Sequence, residues 1–512
     1  MSNQNVFKNT LLLTLSGILA KTIDFSFRAY YSKLLGSVGM GLFSLVFSVH
    51  GIMLTVATAG LSVAISKTVS EQLAARRFGA VRKTMRTAIL AVSVLSLAVI
   101  ALTIFGSKWI AVYFLRDERT ALSLCLLAPS ILFMSISYCI KGYFYAARKV
   151  IRPASSEFLE QAVKITVISA LLKLWLPKGV EYGCCAVFLG LSIGEFSSCA
   201  YLSVLYWLES RRLCGGGEQK RLLSRLLKIS VPTMTNSLTG SFLRMQEDVW
   251  IVSGFRRTMS KEEAMGRYGE IQGMVLPLLM FPLSLFSSFV TLLVPEIARA
   301  DSNHNQKRLV SLISRVFKFG ALAGTLVMCV FSIFSDELAV CVYGTEAIAP
   351  ILRTLAFLCP VMVIESVSCG ILNGLGQQFK MLKYSLIDSC VRLSVIYFLV
   401  PLGGVNMLLI MIAASNLLTC SMVLHRVFRL TAAPFEFRSW VAKPALSAIA
   451  AFFITKPLYH VWIVPFFSAS GALTLGILTA AAVYLFANVA IGGISKADIC
   501  WVKERLKPVK IV

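Results

Sequence analysis

Blocks of about 20 or more predominantly apolar residues recur from one end of this chain to the other, each long enough to cross a hydrocarbon layer of roughly 30 Å as a helix. They fall at about residues 7–35, 40–66, 87–107, 120–146, 154–177, 180–208, 226–255, 268–296, 309–335, 347–375, 381–401, 404–425, 443–462 and 464–490. A water-soluble fold has nowhere to bury so many runs of this length. In lipid each backbone polar group must be satisfied internally, which selects helices. The chain is only 15% charged, against about 25% for a soluble domain, and points the same way. The expected fold is an all-α polytopic membrane protein of about 14 transmembrane helices.

Charge then sets orientation. The chain carries 50 Lys+Arg against 25 Asp+Glu, a net charge of +25. In a soluble protein such an excess would suggest nucleic acid. Here it gathers in connections on one side: residues 71–86 (with Arg76, Arg77, Arg82 and Lys83), 141–152, 209–228, 426–443, and a tail with Lys496, Lys503, Arg505, Lys507 and Lys510. The positive-inside rule makes that side cytoplasmic, and an even number of spans places both termini there. Anionic membrane lipid, not nucleic acid, is the partner expected for the surplus. Residues 11–20 followed by Lys21 imitate a signal peptide. The segment recurs later in the chain, so it is read as retained. The cysteines lack any CxxC spacing, Cys184 and Cys185 being adjacent, and suit small apolar packing. His50, His304, His425 and His460 are scattered and offer no metal-ligand spacing.

The first twelve spans read as two sixes. Lys21-x-x-Asp24 matches Arg244-x-x-Glu247, and Gly36-x-x-Gly39 matches Gly266-x-x-Gly269. Ile104-Phe105 matches Ile333-Phe334, Leu126-Leu127-Ala128-Pro129 matches Phe357-Leu358-Cys359-Pro360, and Glu160-x-x-x-Lys164 matches Asp388-x-x-x-Arg392. The matches keep their order at offsets of 223 to 231 residues. An even-numbered unit makes this a parallel repeat, an arrangement in which transporters place the substrate path between halves. The expected organisation is an N-lobe at 1–212, a glycine-rich cytoplasmic linker at 213–225, a C-lobe at 226–430, two additional spans within 441–491, and a basic cytoplasmic tail at 492–512.

Ionisable groups inside spans are costly and mark substrate or ion paths. Lys21, Asp24 and Arg28 lie three and four residues apart, on one stripe of the first span. The cations of that stripe can hold phosphate or carboxylate, with Arg28 capable of bidentate contact. The counterpart stripe, Arg244, Glu247 and Asp248, is net acidic. Glu160/Lys164 and Asp388/Arg392 are spaced to bridge within their helices. Lys21, Arg28, Arg244, Lys164 and Arg392 are the candidate cavity cations that bind substrate. Asp24, Glu247, Asp248, Glu160 and Asp388 are the candidate ion-coupling groups, and Glu195 and Glu365 are isolated acids in spans 6 and 10. The glycines of residues 36–41 are not followed by GKS or GKT, so a tight turn is expected there and not a nucleotide cradle. Without a Walker motif, a membrane potential or ion gradient is the expected drive. No cofactor, metal site or catalytic group is expected.

The segments Leu35-Gly36-Ser37-Val38-Gly39-Met40-Gly41-Leu42 and Ala59-Gly60-Leu61-Ser62-Val63-Ala64-Ile65-Ser66-Lys67-Thr68-Val69-Ser70-Glu71 resemble the start of the stage V sporulation protein B family. Gly142-Tyr143-Phe144, the stretch 153–161 and Val294-Pro295-Glu296-Ile297 are similar too. That family is part of the polysaccharide-exporter branch of the MOP flippase superfamily, whose relatives include the MurJ-type lipid II flippases. The resemblance implies two six-helix lobes, a central cavity with alternating access, a lipid-linked diphosphate sugar as substrate, and a lipid-tail groove at two extra helices. Lys21 and Arg28 fall near basic first-helix positions of the lipid II flippases. The sequence departs from them at the basic position of span 2, where only His50 is near, in span 8, which lacks an interior basic residue, and at Asp24, where a small residue is more usual.

The function expected is therefore a flippase, not an enzyme. It would move a lipid-linked cell-wall or polysaccharide precursor, such as a lipid II-like one, across the bacterial cytoplasmic membrane, in a sporulation setting implied by the resemblance. Cell-wall synthases are candidate partners. The alternatives are a cation-coupled multidrug exporter of the same superfamily and a non-transporting membrane scaffold for wall synthesis.

Overall fold

The computed structural model describes residues 3–58, 60–211, 222–303, 305–495 and 498. Among these residues every regular element is helical and there is no strand. The chain forms two compact units, Met1–Gly269 and Glu270–Val512.

The first unit contains α1 (Asn3–Thr58), α2 (Leu61–Ala74), α3 (Phe78–Trp109), α4 (Thr120–Ala146), α5 (Ile151–Trp175), α6 (Val180–Ser210), α7 (Leu222–Phe255) and α8 (Lys261–Tyr268). At 1.5 Å per residue, the 56 residues of α1 are far longer than one crossing needs. Gly36 breaks the helix at φ 68°, a value that costs glycine nothing and other residues a steric penalty. The turn expected at residues 36–41 begins at this break, where non-helical backbone at Gly36 divides α1 into two helical segments. The stretch 71–86, read as a connection, is mostly helix: α2 runs to Ala74 and α3 begins at Phe78, so Arg82, Lys83 and Arg86 ride on a helix that extends past the apolar block. Leu61, Ile65 and Val69 of α2, Val81 and Met85 of α3, Ile140 and Phe144 of α4, Leu202 of α6 and Leu226 of α7 form one buried apolar cluster.

The second unit contains α9 (Leu276–Ser302), α10 (Gln306–Ile333), α11 (Ser335–Leu338), α12 (Ala349–Ala356), α13 (Cys359–Gly374), α14 (Gln378–Phe398), α15 (Val400–Thr431), α16 (Lys443–Leu458) and α17 (Ala469–Ala490). Its core joins Ile313 and Phe317 of α10, Val363 and Ile371 of α13, Val427 of α15, and Trp440. Pro129 sits inside an uninterrupted α4, whereas its repeat partner Pro360 opens α13 after a 53° bend from α12. The missing proline N–H is harmless at a helix start and costly in a helix interior. The last two helices pack on each other and on α10, where the Tyr484 hydroxyl donates to the Leu322 carbonyl at 3.0 Å.

Nine described helices are long and apolar enough to cross a membrane, ten if the bent pair α12–α13 is one crossing. Helices α5, α7 and α14 have the length but carry the charges singled out above. Large apolar side chains such as Phe105, 90% exposed, and Leu402, 80% exposed, stand uncovered within their units, as suits helices in lipid. The glycine-rich connection lies outside the described residues up to residue 221. The boundary between compact units falls later, at Gly269, because α7 and α8 pack on α1, α2 and α3. Of the basic tail, residues 496–497 and 499–512 lie outside the described residues.

Candidate functional site

In the first unit, α1 presents Lys21, Asp24 and Arg28 along one stripe. Lys21 and Asp24 are exposed and Arg28 is half-buried. Asp24 of this stripe also has partners on another helix. Asp24 Oδ1 accepts a hydrogen bond from Lys164 Nζ of α5 at 2.6 Å and another from Gln161 Nε2 at 3.3 Å. The pair is lopsided: the Lys164 side chain is 8% exposed and that of Asp24 is 53% exposed. A buried ammonium on α5 is thus held by a carboxylate that remains open. Arg28 is placed differently, with its guanidinium 5.5 Å from the centroid of the Phe43 ring. Phe43 in turn stacks on Phe188 of α6 at 5.0 Å with an interplanar angle of 3°. A cation over an aromatic face is attracted by the ring quadrupole and loses little mobility cost in staying there.

Lys164 makes its short ion pair with Asp24, while its charge still acts on Glu160. Glu160 lies beside Glu195 of α6, with Lys141 and Glu157 close by. Close helix packing explains this. A Cβ at Gly194 would stand 3.3 Å from the Glu160 carbonyl, so α6 approaches α5 at that level and brings Glu195 to Glu160. Lys141 of α4 pairs with Glu157 at 3.4 Å. The result is a polar cluster spanning α1, α4, α5 and α6.

Helix α7 carries the counterpart stripe within the same unit. Arg244 is exposed and its Nη2 lies 3.4 Å from Ser241 Oγ. Glu247 is buried, and Asp248 lies beside the buried Tyr268 hydroxyl of α8. Ser241 also meets Thr55 of α1 at 3.2 Å, so this stripe borders α1 directly.

In the second unit the predicted pair is formed. Arg392 Nε is 3.2 Å from Asp388 Oδ2. Asp388 is buried and its Oδ1 accepts from Ser415 Oγ of α15 at 2.6 Å. Glu365 of α13 faces the same two residues. Sequence spacing therefore found Asp388–Arg392 and the α1 stripe. It missed Gln161 and Ser415, polar side chains whose roles arise only from packing between helices, and it did not join Glu195 to Glu160. The described cysteines are all free; Cys184 donates to the Gly39 carbonyl at 3.3 Å, a packing role.

A family model described as "Polysaccharide biosynthesis protein" matches residues 6–301. The chain is 25% identical over 406 residues to "Stage V sporulation protein B" of Bacillus subtilis (strain 168), covering 78% of each chain. Among solved structures, it is similar to the inward-facing conformation of a multidrug resistance MATE family transporter of the MOP superfamily, with a TM-score of 0.65 at 13% identity over 82% of this chain and 98% of that one. It is also similar to "Lipid II flippase MurJ, inward closed conformation", with a TM-score of 0.64 at 14% identity over 92% of this chain and 98% of that one. At these identities the structural likeness establishes the fold, that of MOP-superfamily transporters.

Proposed function

The chain belongs to the polysaccharide biosynthesis protein family, and from that membership and the ionic stripe of α1 we propose that it is a flippase for a lipid-linked, diphosphate-bearing cell-wall or polysaccharide precursor. The observation that carries this reading is the placement of two cations, Lys21 exposed and Arg28 half-buried, on one stripe of a membrane-embedded helix. A cation on a membrane-embedded helix attracts a multivalent anion, and a guanidinium such as that of Arg28, 5.5 Å from the Phe43 ring centroid, can meet phosphate oxygens bidentately. Relatives named for sporulation and for lipid II flipping support the same substrate class and a sporulation setting.

In this reading the protein crosses the bacterial cytoplasmic membrane fourteen times with both termini inside. Helix α1 makes two crossings about its break at Gly36, and α5, α7 and α14 cross despite their charges because these face polar partners. Access alternates between the two faces, driven by membrane potential or an ion gradient. The carboxyl groups of Asp24, Glu160, Glu247, Asp248 and Asp388 are the groups through which an ion would couple. Arg244, Lys164 and Arg392 are secondary cations of the path, and wall synthases are the partners such a flippase would serve.

Substituting Arg28 by Ala or by Glu tests the assignment, with outer-leaflet exposure of the lipid-linked precursor scored in cells lacking other flippases. Loss of exposure at normal protein level is expected, more complete for Glu. Full exposure in both variants would remove Arg28 from the site.

A further inference from the structure

The connection between α3 and α4, on the face away from the basic loops, buries a single carboxylate that substrate binding does not use. The Asp117 side chain is 0% exposed. Its Oδ1 accepts from Arg119 Nε at 3.0 Å and from the Arg119 backbone N–H at 3.3 Å, and its Oδ2 accepts from Arg119 Nη2 at 3.1 Å. Arg119 therefore satisfies it locally. Two further cations reach it from a remote segment. Arg256 Nη2, in the turn after α7, donates to Oδ2 at 3.2 Å, and Lys261 Nζ, at the start of α8, stands 3.8 Å from Oδ1. Arg256 Nη1 also donates to the Arg116 carbonyl at 2.6 Å, and Arg116 itself is held at φ 56°. Glu181 and Glu262 act on Arg119 from α6 and α8, and the Arg116 charge acts on Arg256.

The same α7–α8 segment is seated on α1 by a second, uncharged contact. A Cβ at Gly269 would overlap the Ser37 carbonyl and the Gly41 amide, and one at Gly41 would overlap the Met265 carbonyl. Two backbones touch here, immediately beyond the break at Gly36. By the repeat, α7 and α8 open the second half of the molecule. On this face, then, the start of the second half is fastened to the first by one steric seam and one ionic tie. Toward the other face, α7 packs on α2 and α3, with Leu226 in their buried apolar cluster. A glycine seam separates without leaving polar groups unsatisfied. The ionic tie does not: parting it leaves Asp117 with Arg119 alone and frees Arg256 from both its acceptors.

We propose that Asp117 is the latch of an outer gate, holding the α7–α8 turn through Arg256 and Lys261 and releasing it when the outer face opens. This rests on the alternating-access reading above. The device is specific to these residues, since the anchor is one buried carboxylate shared by three cations.

Two measurements on the purified full-length protein in lipid nanodiscs test it, with Arg256→Gln as the main variant because Asp117 then keeps its bonds to Arg119. Hydrogen exchange should quicken roughly ten-fold in the peptide 255–268, as expected for loss of a charge-assisted hydrogen bond. Cysteine placed at the seam by Ser37→Cys should react correspondingly faster with an impermeant maleimide in the Arg256→Gln background, read at that peptide by mass spectrometry. Asp117→Asn should reproduce both effects, and the double variant should add nothing to the larger single effect. Unchanged exchange at 255–268 in Arg256→Gln overturns the latch. So does faster exchange without faster labelling of the seam, which would make the cluster a local tie. Neither measurement involves substrate, so the latch stands or falls separately from the flippase reading.

Discussion

Removing Asp24 and removing Lys164 should cost different amounts, although each breaks the same ion pair. The pair is short, at 2.6 Å, but its members sit in different surroundings, with the lysine 8% and the aspartate 53% exposed. Breaking a fully buried pair by deleting one partner costs about 3–5 kcal/mol, because a charge is left where water cannot reach it. An exposed pair is worth about 0.2–1 kcal/mol. Asp24→Ala strands the buried partner, with Glu160 one turn away already set against Glu195. Half of the deleted carboxylate was open, so the full buried value must be discounted to about 2 kcal/mol. Lys164→Met keeps the length of the stem and leaves an aspartate that water can solvate, at a cost under about 1 kcal/mol.

The double variant Asp24→Ala/Lys164→Met should then be nearly as stable as Lys164→Met alone, because no buried charge remains. The cycle of four proteins should give a coupling of about 1 to 2 kcal/mol. Equilibrium unfolding in mixed micelles, titrated with SDS and followed by helical circular dichroism, measures each corner. If Lys164→Met costs as much as Asp24→Ala, or the double variant costs the sum of the two, the asymmetry argument is wrong and the pair is not a buried cation under an open acid.

Gly269→Ala should destabilise by about 1–3 kcal/mol in the same titration, since its Cβ would meet backbone atoms that cannot rotate away. Gly51→Ala, with open space around the added methyl group, should be neutral or mildly stabilising and serves as the control. The Asp117 carboxyl is held below its ordinary 3.8: burial alone would raise it, but the Arg119 hydrogen bonds and the charges of Arg119 and Lys261 outweigh burial. A lowered folded value gives stability that is present above about 3.8 and lost as pH falls through the folded value. Exchange in the peptide 255–268, corrected for intrinsic rate, should therefore stay flat from about pH 8 to about pH 5; a rise across that interval would show that a different group titrates there.

What spacing reveals and what it hides differ sharply between the two halves. The fold class follows from block length alone, and the α1 stripe from intervals of three and four residues. The partner of Asp24 does not, because Lys164 lies 140 positions away and meets it only through the packing of α5 on α1. The i,i+4 rule pointed equally to Glu160–Lys164 and Asp388–Arg392, yet only the second forms. The reason lies on the neighbouring helix. In the second half α15 offers Ser415, a hydroxyl that donates to Asp388 and leaves Arg392 as its counter-ion. In the first half α6 offers Glu195 beside Glu160, and Lys164 turns to α1.

That difference bears on where an anion could be held. Read along α1 alone, the stripe is net basic. Across the packed helices, Lys141 and Lys164 already lie against Glu157 and Asp24, with Glu160 and Glu195 beside them. An attraction for diphosphate then depends on where each cation is held. Lys141 is occupied by Glu157 and Lys164 by Asp24, the latter out of reach of any ligand that does not first displace the aspartate. Arg28 is oriented by an aromatic face, half-buried on the same stripe as the exposed Lys21. Of the cations that the sequence nominates in this half, Arg28 is therefore the one whose substitution should weaken anion binding most, and Lys164 the one whose substitution should be read chiefly as stability.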